Sequence, residues 1–449
     1  MGKLFGTFGI RRIANEVFTP EMVNRLILSF GTFIEGDTVV VGRDPRKSSE
    51  MLYHSVIAGL MSCGCKVIEI GITATPTLQW ACRQWSHWGA MVTASHNPPE
   101  WNGLKLMEKS GKGLDPEQEA VVEELYFKEN FRRVAWSSIP QGTVKRPVNQ
   151  DYIEAIVSKV NAEEIRSRSY RVIIDCANGS PSLITPLLLS ELGCRVVSLN
   201  AHPDGRFPGR NPEPTPQNLT DLTTLMKHGD FDVGFAQDGD GDRLIIVRDG
   251  GIFVSGDYSV SLVADTLAKR MGPGPIVTTV ATTHLLKEIA HKTGRRFITT
   301  AVGDRLVAKA LQETDGIFGC EENGGMIFPD FVWGRDGAIA AAWILDIMAT
   351  SGKSLKEILA ELPSYHQVKK KVSVEPGKKE DIIRKIDSVT ASYPDRITLD
   401  GFKVVFDDDS WILVRPSGTE PLFRVFSESR DLAHAEKLVE EYLHIINSV

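Results

Sequence analysis

Hydrophobic and polar positions along the chain follow two alternating rhythms. "DTVVVGRD" (37–44) is a β-branched run closed by glycine and charge, which predicts a strand. "SSEMLYHSVIAGLMSCG" follows with apolar residues at helical spacing and a glycine stop. "KVIEIGI" predicts the next strand, "TPTLQWACRQW" the next helix and "GAMVTAS" a third strand. Strands separated by helices imply parallel pairing through right-handed crossovers. The rhythm restarts with "YRVIIDCANGS", "PSLITPLLLSELG", "CRVVSLN" and "DVGFAQDGDGDRLIIV", and again with "GPIVTTVATTHLLKEIAHKTG", "RFITTAVGDRLVAKALQETDG" and "IFGCEENGGMIF". The prediction is α/β: three successive similar mixed units, each about 100 residues, a common domain size. Identity between them is too low to define a repeat.

From about Tyr365 the pattern changes. "QVKKKVSVEP" is strand-like, a helix follows, then short strands "GFKVVFDD", "SWILVRPSG" and "LFRVFSES". A last helix starts after Asp431 as N-cap. This predicts a C-terminal α+β domain, with Lys369–Lys371 read as a solvated strand edge. The expected divisions are 1–150, 151–252, 253–364 and 365–449.

Composition narrows the function. A net charge of -7 argues against a nucleic-acid-binding body. There is no apolar N-terminal segment of signal-peptide type, so a cytoplasmic location is expected. The apolar run Gly337–Ala349 is broken by Asp346 and is too short to span a bilayer, so it reads as a buried helix and no membrane partner is expected. The six cysteines form no zinc pattern and read as buried small hydrophobes in a reducing compartment. Oligomeric state is not legible, and a homo-oligomer is left open.

The densest chemistry is "AQDGDGDRLIIV". Asp238, Asp240 and Asp242 alternate with glycines that allow a tight loop with converging carboxylates. Each pair would repel by roughly 4 kcal/mol at about 4 Å and an effective dielectric near 20. A hard divalent cation removes that cost, and oxygen-only ligands suit Mg²⁺. An EF-hand is excluded because Arg243 stands where its turn needs glycine and Asp249 where it needs glutamate. In "VRPSGTEPLFR", Arg415, Ser417, the Gly418 and Thr419 amides and Arg424 form a donor set suited to a phosphate dianion, against the alternative of an ordinary surface turn. In "CEENGG", Glu321 and Asn323 suit sugar hydroxyls, against a plain hairpin. Ser95 in "MVTASHNPPEWNGLKLM" is not in a G-x-S-x-G elbow. His96 is an unpromising base for it, because neighbours on an extended segment point apart. With a metal loop and a phosphate clamp elsewhere, Ser95 becomes a candidate phosphoryl carrier, and Lys105 either a proton-transfer group or a solvated strand-end lysine.

In this order the motifs resemble the α-D-phosphohexomutases over essentially the whole chain. "FGTFGIR" is similar to the family's N-terminal signature, with Arg11 at its active-site arginine. "TASHNP" resembles the phosphoserine loop (Ser95, His96), "NGLK" the segment of the acid/base lysine (Lys105), and "DGDGDR" the metal loop, with Arg243 in the catalytic set. "CEENGG" and "RPSGTEP" fall where the family has its sugar and phosphate loops. The resemblance implies four domains around a central cleft. It implies a Mg²⁺ enzyme with metal ligands Asp238, Asp240, Asp242 and phosphorylated Ser95, acting on a sugar monophosphate through a hexose 1,6-bisphosphate that reorients in the cleft. The sequence departs from many members in two places: "NGG" replaces S-G-H, putting Gly325 where they have histidine, and Arg12 replaces a signature glycine, which bears on the shape or charge of that turn and leaves its effect open. "VGDR", with Gly303 and Asp304, resembles the phosphoglucosamine mutase version of a substrate-binding loop. A phosphomannomutase/phosphoglucomutase or a phosphoglucosamine mutase is thus expected. The alternatives are a Mg²⁺-dependent sugar phosphatase and a phosphopentomutase on the same fold.

Overall fold

The computed structural model describes residues 4–6, 8–375, 377–417 and 421–449. Their strands form four sheets. The first contains β1 (Ile10–Ile13), β2 (Val39–Arg43), β3 (Val67–Ile72), β4 (Trp88–Val92), β5 (Trp101–Met107) and β6 (Val144–Lys145), in the order β1-β5-β4-β2-β3-β6. The second contains β7 (Arg171–Asp175), β8 (Arg195–Leu199), β9 (Val233–Gln237), β10 (Leu244–Arg248) and β11 (Ile252–Val254), in the order β11-β10-β9-β7-β8. The third contains β12 (Ile276–Thr279), β13 (Phe297–Thr300), β14 (Phe318–Cys320), β15 (Met326–Phe328) and β16 (Val332–Arg335), in the order β13-β12-β14-β15-β16.

Each of these sheets has a parallel half, β4-β2-β3, β9-β7-β8 or β14-β12-β13. The uniformly parallel pairing expected from the strand–helix rhythm stops there. The next strand, β5, β10 or β15, returns antiparallel. The reason is loop length: 93–100, 238–243 and 321–325 are too short for a crossover, which needs a dozen or more residues. Those three return loops carry Ser95, the aspartates and Glu321. One topological position in each unit therefore bears a loop with candidate site residues, a repeat the residues themselves do not display.

The fourth sheet is wholly antiparallel: β17 (His366–Ser373), β18 (Arg396–Ile397), β19 (Phe402–Val405), β20 (Trp411–Pro416) and β21 (Leu422–Ser429), in the order β17-β21-β20-β19-β18. Helices Lys379–Thr390 and Leu432–Asn447 pack Ile382, Ile386 and Val439 against its Val404, Ile412 and Val414. Asp431 caps the second helix, accepting from the Ala433 amide at 3.2 Å.

The α/β units share one continuous core that runs from Phe8 and Met91 through Ile174 and Phe235 to Phe318. Helix Gly337–Ser351, apolar on all sides, is buried as expected and packs on helix Ala162–Arg168 and on β10. Its buried Asp346 is neutralised by Arg270. All six cysteines are buried and free. No helix among the described residues is long and apolar enough to cross a membrane.

Candidate active site

Ser95 follows β4 and is fully buried. Its φ of 52° is left-handed, a conformation costing a non-glycine residue roughly 1–2 kcal/mol. The surroundings impose it. Arg46, itself 1% exposed, spends its guanidinium on the carbonyls of Ser95 (2.8 Å), Asn97 (2.7 Å) and Trp101 (3.0 Å). Asp44 holds Arg46 Nε at 3.0 Å and the Thr93 hydroxyl at 2.7 Å, and Thr93 Oγ1 accepts the Ser95 amide at 2.9 Å. Arg46 is thus the template of the serine loop.

The carboxylates of Asp238, Asp240 and Asp242, all buried, converge within 4.8 Å of one another. A Cβ on Gly239 would stand 2.7 Å from the Ser95 carbonyl, so only glycine lets the two loops approach this closely. Ser95 Oγ donates to Asp238 Oδ2 at 2.9 Å. Lys105, fully buried on β5, donates to Asp240 at 2.7 Å and Asp242 at 3.2 Å. Arg335 donates to Asp242 at 2.7 Å. Arg210 plays for this loop the part Arg46 plays for the other, binding the Gln237 carbonyl at 2.6 Å and Asp175 at 2.9 Å.

Burial, then the charges of Asp242 and Asp240, push the Asp238 carboxyl up to about 8. Burial also opposes ionisation of Asp240, but Lys105 outweighs it and holds that carboxyl below the usual range. At Asp242 the same opposition from burial is overcome by Arg335 and then Lys105. Asp240 Oδ1 and Asp242 Oδ1 are buried without a hydrogen-bond partner. Orphaned carboxylate oxygens facing a third acid fit a hard divalent cation.

His96 departs from expectation. Because Ser95 is left-handed and not extended, the neighbouring side chains converge, and His96 Nδ1 lies 3.3 Å from Ser95 Oγ. That nitrogen is also 2.9 Å from Arg243 Nη2. Burial, then Arg243 and Arg11, push the imidazole well below the ordinary histidine range. A neutral ring whose lone pair meets a guanidinium is an acceptor, not a free base. Arg11, on β1, donates to the Asn97 side chain at 3.1 Å. Arg12 lies on β1, where it pairs with Asn102 of β5.

The sugar-loop candidates join the metal loop through backbone. Gly325 bridges Arg243, and the Leu244 amide donates to the Gly324 carbonyl at 3.1 Å. Asn323 Oδ1 accepts the Gly325 amide at 3.0 Å. Arg335 Nη1 donates to Glu321 at 2.5 Å, and its Nε is 3.6 Å from Asp304, which follows Gly303 at the start of helix Asp304–Thr314. Burial pushes the Glu321 carboxyl up to about 7, against the pull of Arg335.

In the C-terminal sheet, Lys371, Arg424 and Arg415 stand directly opposite one another across β17, β21 and β20. Like charges in such a row are unfavourable unless an anion offsets them. Asp400 holds Arg415 at 2.7 Å and also accepts the Val302 amide at 3.0 Å, tying the clamp to the "VGDR" loop. The Ser417 carbonyl accepts Lys379 Nζ at 2.6 Å. Gly418 and Thr419 lie outside the described residues. Lys369–Lys371 is more than a solvated edge: Lys369 pairs with Asp257 of the third unit at 3.0 Å.

Residues 2–133, 150–251 and 255–365 match the family models for phosphoglucomutase/phosphomannomutase α/β/α domains I, II and III, and 369–445 match its C-terminal domain. A phosphoglucomutase/phosphomannomutase of Thermococcus kodakarensis is 49% identical, with 99% of this chain and 98% of that one aligned. The chain belongs to this phosphohexomutase family. A probable phosphoglucosamine mutase of Methanopyrus kandleri is 39% identical over 99% of this chain and 98% of its own. The crystal structure of a putative phosphomannomutase from Thermus thermophilus superposes with a TM-score of 0.86 at 26% identity, covering 99% of this chain and 98% of that one.

Seen as a phosphohexomutase, the chain brings Ser95, His96, Lys105, the three aspartates, Arg243 and Glu321 into one contiguous polar cluster. Arg415, Ser417 and Arg424 stand on the C-terminal wall. Arg46, Arg210 and Arg335 escaped sequence reading. Each is an arginine beside an aspartate in a short Pro/Gly-rich stretch ("RDPR", "PGRNP", "WGRDG") or pairs with one far away, a weak signal without the partner's position.

Proposed function

We propose that this phosphohexomutase interconverts hexose 1-phosphate and hexose 6-phosphate with Ser95 as its phosphoryl carrier. The observation that carries this is Ser95 Oγ at 2.9 Å from Asp238, inside a buried acidic triad with Lys105 on its other side. In the forward half-reaction a sugar hydroxyl attacks the phosphorus of phospho-Ser95, the P–Oγ bond breaks, and a hexose 1,6-bisphosphate forms. The sugar hydroxyl's proton ends on Ser95 Oγ. Lys105 Nζ, in reach of Asp240 and Asp242, is the group assigned to move it. After the bisphosphate reorients, the reverse step returns its other phosphate to Ser95.

Asp238, Asp240, Asp242 and an oxygen of phospho-Ser95 would hold Mg²⁺, which when bound supplies positive charge at the transferring phosphoryl. Arg11, His96 and Arg243 line the phosphoserine loop. Glu321, Asn323, Gly303 and Asp304 orient the sugar ring. Arg415, Ser417, Gly418, Thr419 and Arg424 bind the phosphate that is not reacting, offsetting the cation row. Glucose and mannose phosphates are the substrates favoured, because the relative named for phosphoglucomutase/phosphomannomutase is 49% identical and the one named for glucosamine phosphate 39%, over the same 99% of the chain.

Incubation with glucose 1,6-bisphosphate labelled at both phosphates tests this. Wild-type protein should retain label and Ser95→Ala none, with turnover lost by orders of magnitude. Rapid free phosphate with no 6-phosphate product from glucose 1-phosphate would instead make the protein a phosphatase. A panel of glucose, mannose, glucosamine and ribose 1-phosphates, compared by kcat/KM, tests the sugar.

A further inference from the structure

Gly325 ends the sugar loop, and a Cβ placed there would stand 2.2 Å from Arg335 Cδ and 3.1 Å from its Cγ. The aliphatic stem of Arg335 therefore fills the space that any side chain at 325 would enter. Its guanidinium does not hang free beyond that point. Nη1 is bonded to Glu321 at 2.5 Å, Nη2 to Asp242 at 2.7 Å, and Nε lies 3.6 Å from Asp304. Three carboxylates from three loops thus meet one side chain that is 6% exposed. β16 presents Arg335 opposite Ile327 on β15, so the strand that follows the sugar loop turns back to deliver the residue that closes it.

We propose that Gly325 and Arg335 act as a matched pair in which Arg335 is the positioning residue for Glu321, the sugar-facing carboxylate, and Gly325 is the vacancy that admits it. The pair rests on the reading of Glu321 as a sugar-hydroxyl acceptor given above. A planar guanidinium can hold Asp242 and Glu321 at once through separate nitrogens, whereas an ammonium at the same site is a single point. The metal loop and the sugar loop are thereby kept in a fixed relation. A side chain at 325 and an arginine at 335 in this pose are mutually exclusive, because the stem cannot yield while Nη1 and Nη2 stay bonded to Glu321 and Asp242.

The test is a kinetic double-mutant cycle on the full-length enzyme, with glucose 1-phosphate as substrate and glucose 1,6-bisphosphate as activator. Arg335→Lys should raise KM about tenfold, the scale of one lost charge-assisted bond, with a smaller change in kcat. Gly325→Ala should do the same, because displacing the stem breaks the same bonds. The double variant should be little worse than either single one. The double variant Gly325→His/Arg335→Ala should outperform Gly325→His alone. Independent, multiplying effects of the two substitutions, or wild-type kinetics in Gly325→Ala, would overturn the pairing, as would a loss confined to kcat. Thermal melts identify any variant that fails to fold, and Arg335→Met then replaces it, with the same KM rise required. Product analysis of the wild-type enzyme separates the two readings: free phosphate without 6-phosphate refutes the mutase function, whereas normal 6-phosphate with independent effects refutes only the pair.

Discussion

Arg46 illustrates how a charge is kept inside a protein. It is 1% exposed, its counter-ion Asp44 is fully buried, and its donors are consumed by loop carbonyls. Removing one partner of a buried pair strands the other. Arg46→Met should therefore destabilise the protein by about 3–5 kcal/mol. It should also release Ser95 from its left-handed conformation and abolish turnover. Urea unfolding read beside the activity assay checks both, and retained turnover in a folded variant would contradict the template role. The Ser95 conformation also shows why local rules misjudged His96: the alternation of an extended segment does not apply where φ is 52°.

At the level of elements, the C-terminal sheet docks on the third unit through β19 and β20. Lys403 on β19 donates to the Val280 carbonyl at 2.8 Å and lies over the Trp411 ring at 3.9 Å. Glu428, facing the same interface, accepts from the His284 amide and the Trp411 indole. Burial lowers Lys403 to about 8, against the pull of Glu428 and Asp257 and with the push of Lys287. The folded state thus releases this proton at a lower pH than the unfolded chain. Stability is lost as pH falls from the ordinary lysine range to about 8, and below that the full penalty applies. Lys403→Met should remove that penalty, about 3 kcal/mol at pH 7 for a shift of this size. Thermal melts between pH 7 and 10 should show a shallower rise with pH in the variant. Identical slopes would mean that Lys403 titrates normally.

The whole molecule is closed by contacts between units. Arg305, from the "VGDR" loop, pairs with Glu119 and donates to the carbonyls of Leu114 at 3.0 Å and Gly6 at 2.9 Å, so the third unit is fastened to the first across the cleft. A phosphoenzyme needs its cleft shut against water. Arg305→Met should leave the fold intact and raise phosphate release from glucose 1,6-bisphosphate several-fold relative to mutase turnover, because opening admits water as acceptor. Malachite green and coupled 6-phosphate assays on one sample measure that partition, and an unchanged ratio would remove Arg305 from the closure.

The strands, the crossovers, the buried apolar helix and the ordered loops were legible in the sequence because each is set by neighbours within one turn or strand. So was the gathering of acids in "DGDGDR" that suits a cation, since three acids in five residues must be neutralised somehow. Tertiary structure alone decided the rest. It bent the chain back at equivalent returns β4–β5, β9–β10 and β14–β15, bringing Ser95, the aspartates and Glu321 together. It set Arg335 against Gly325 and carried Lys369 to Asp257. These contacts join residues whose separation in the chain carries no local signal. Their energies depend on burial, which exists only once the core has closed.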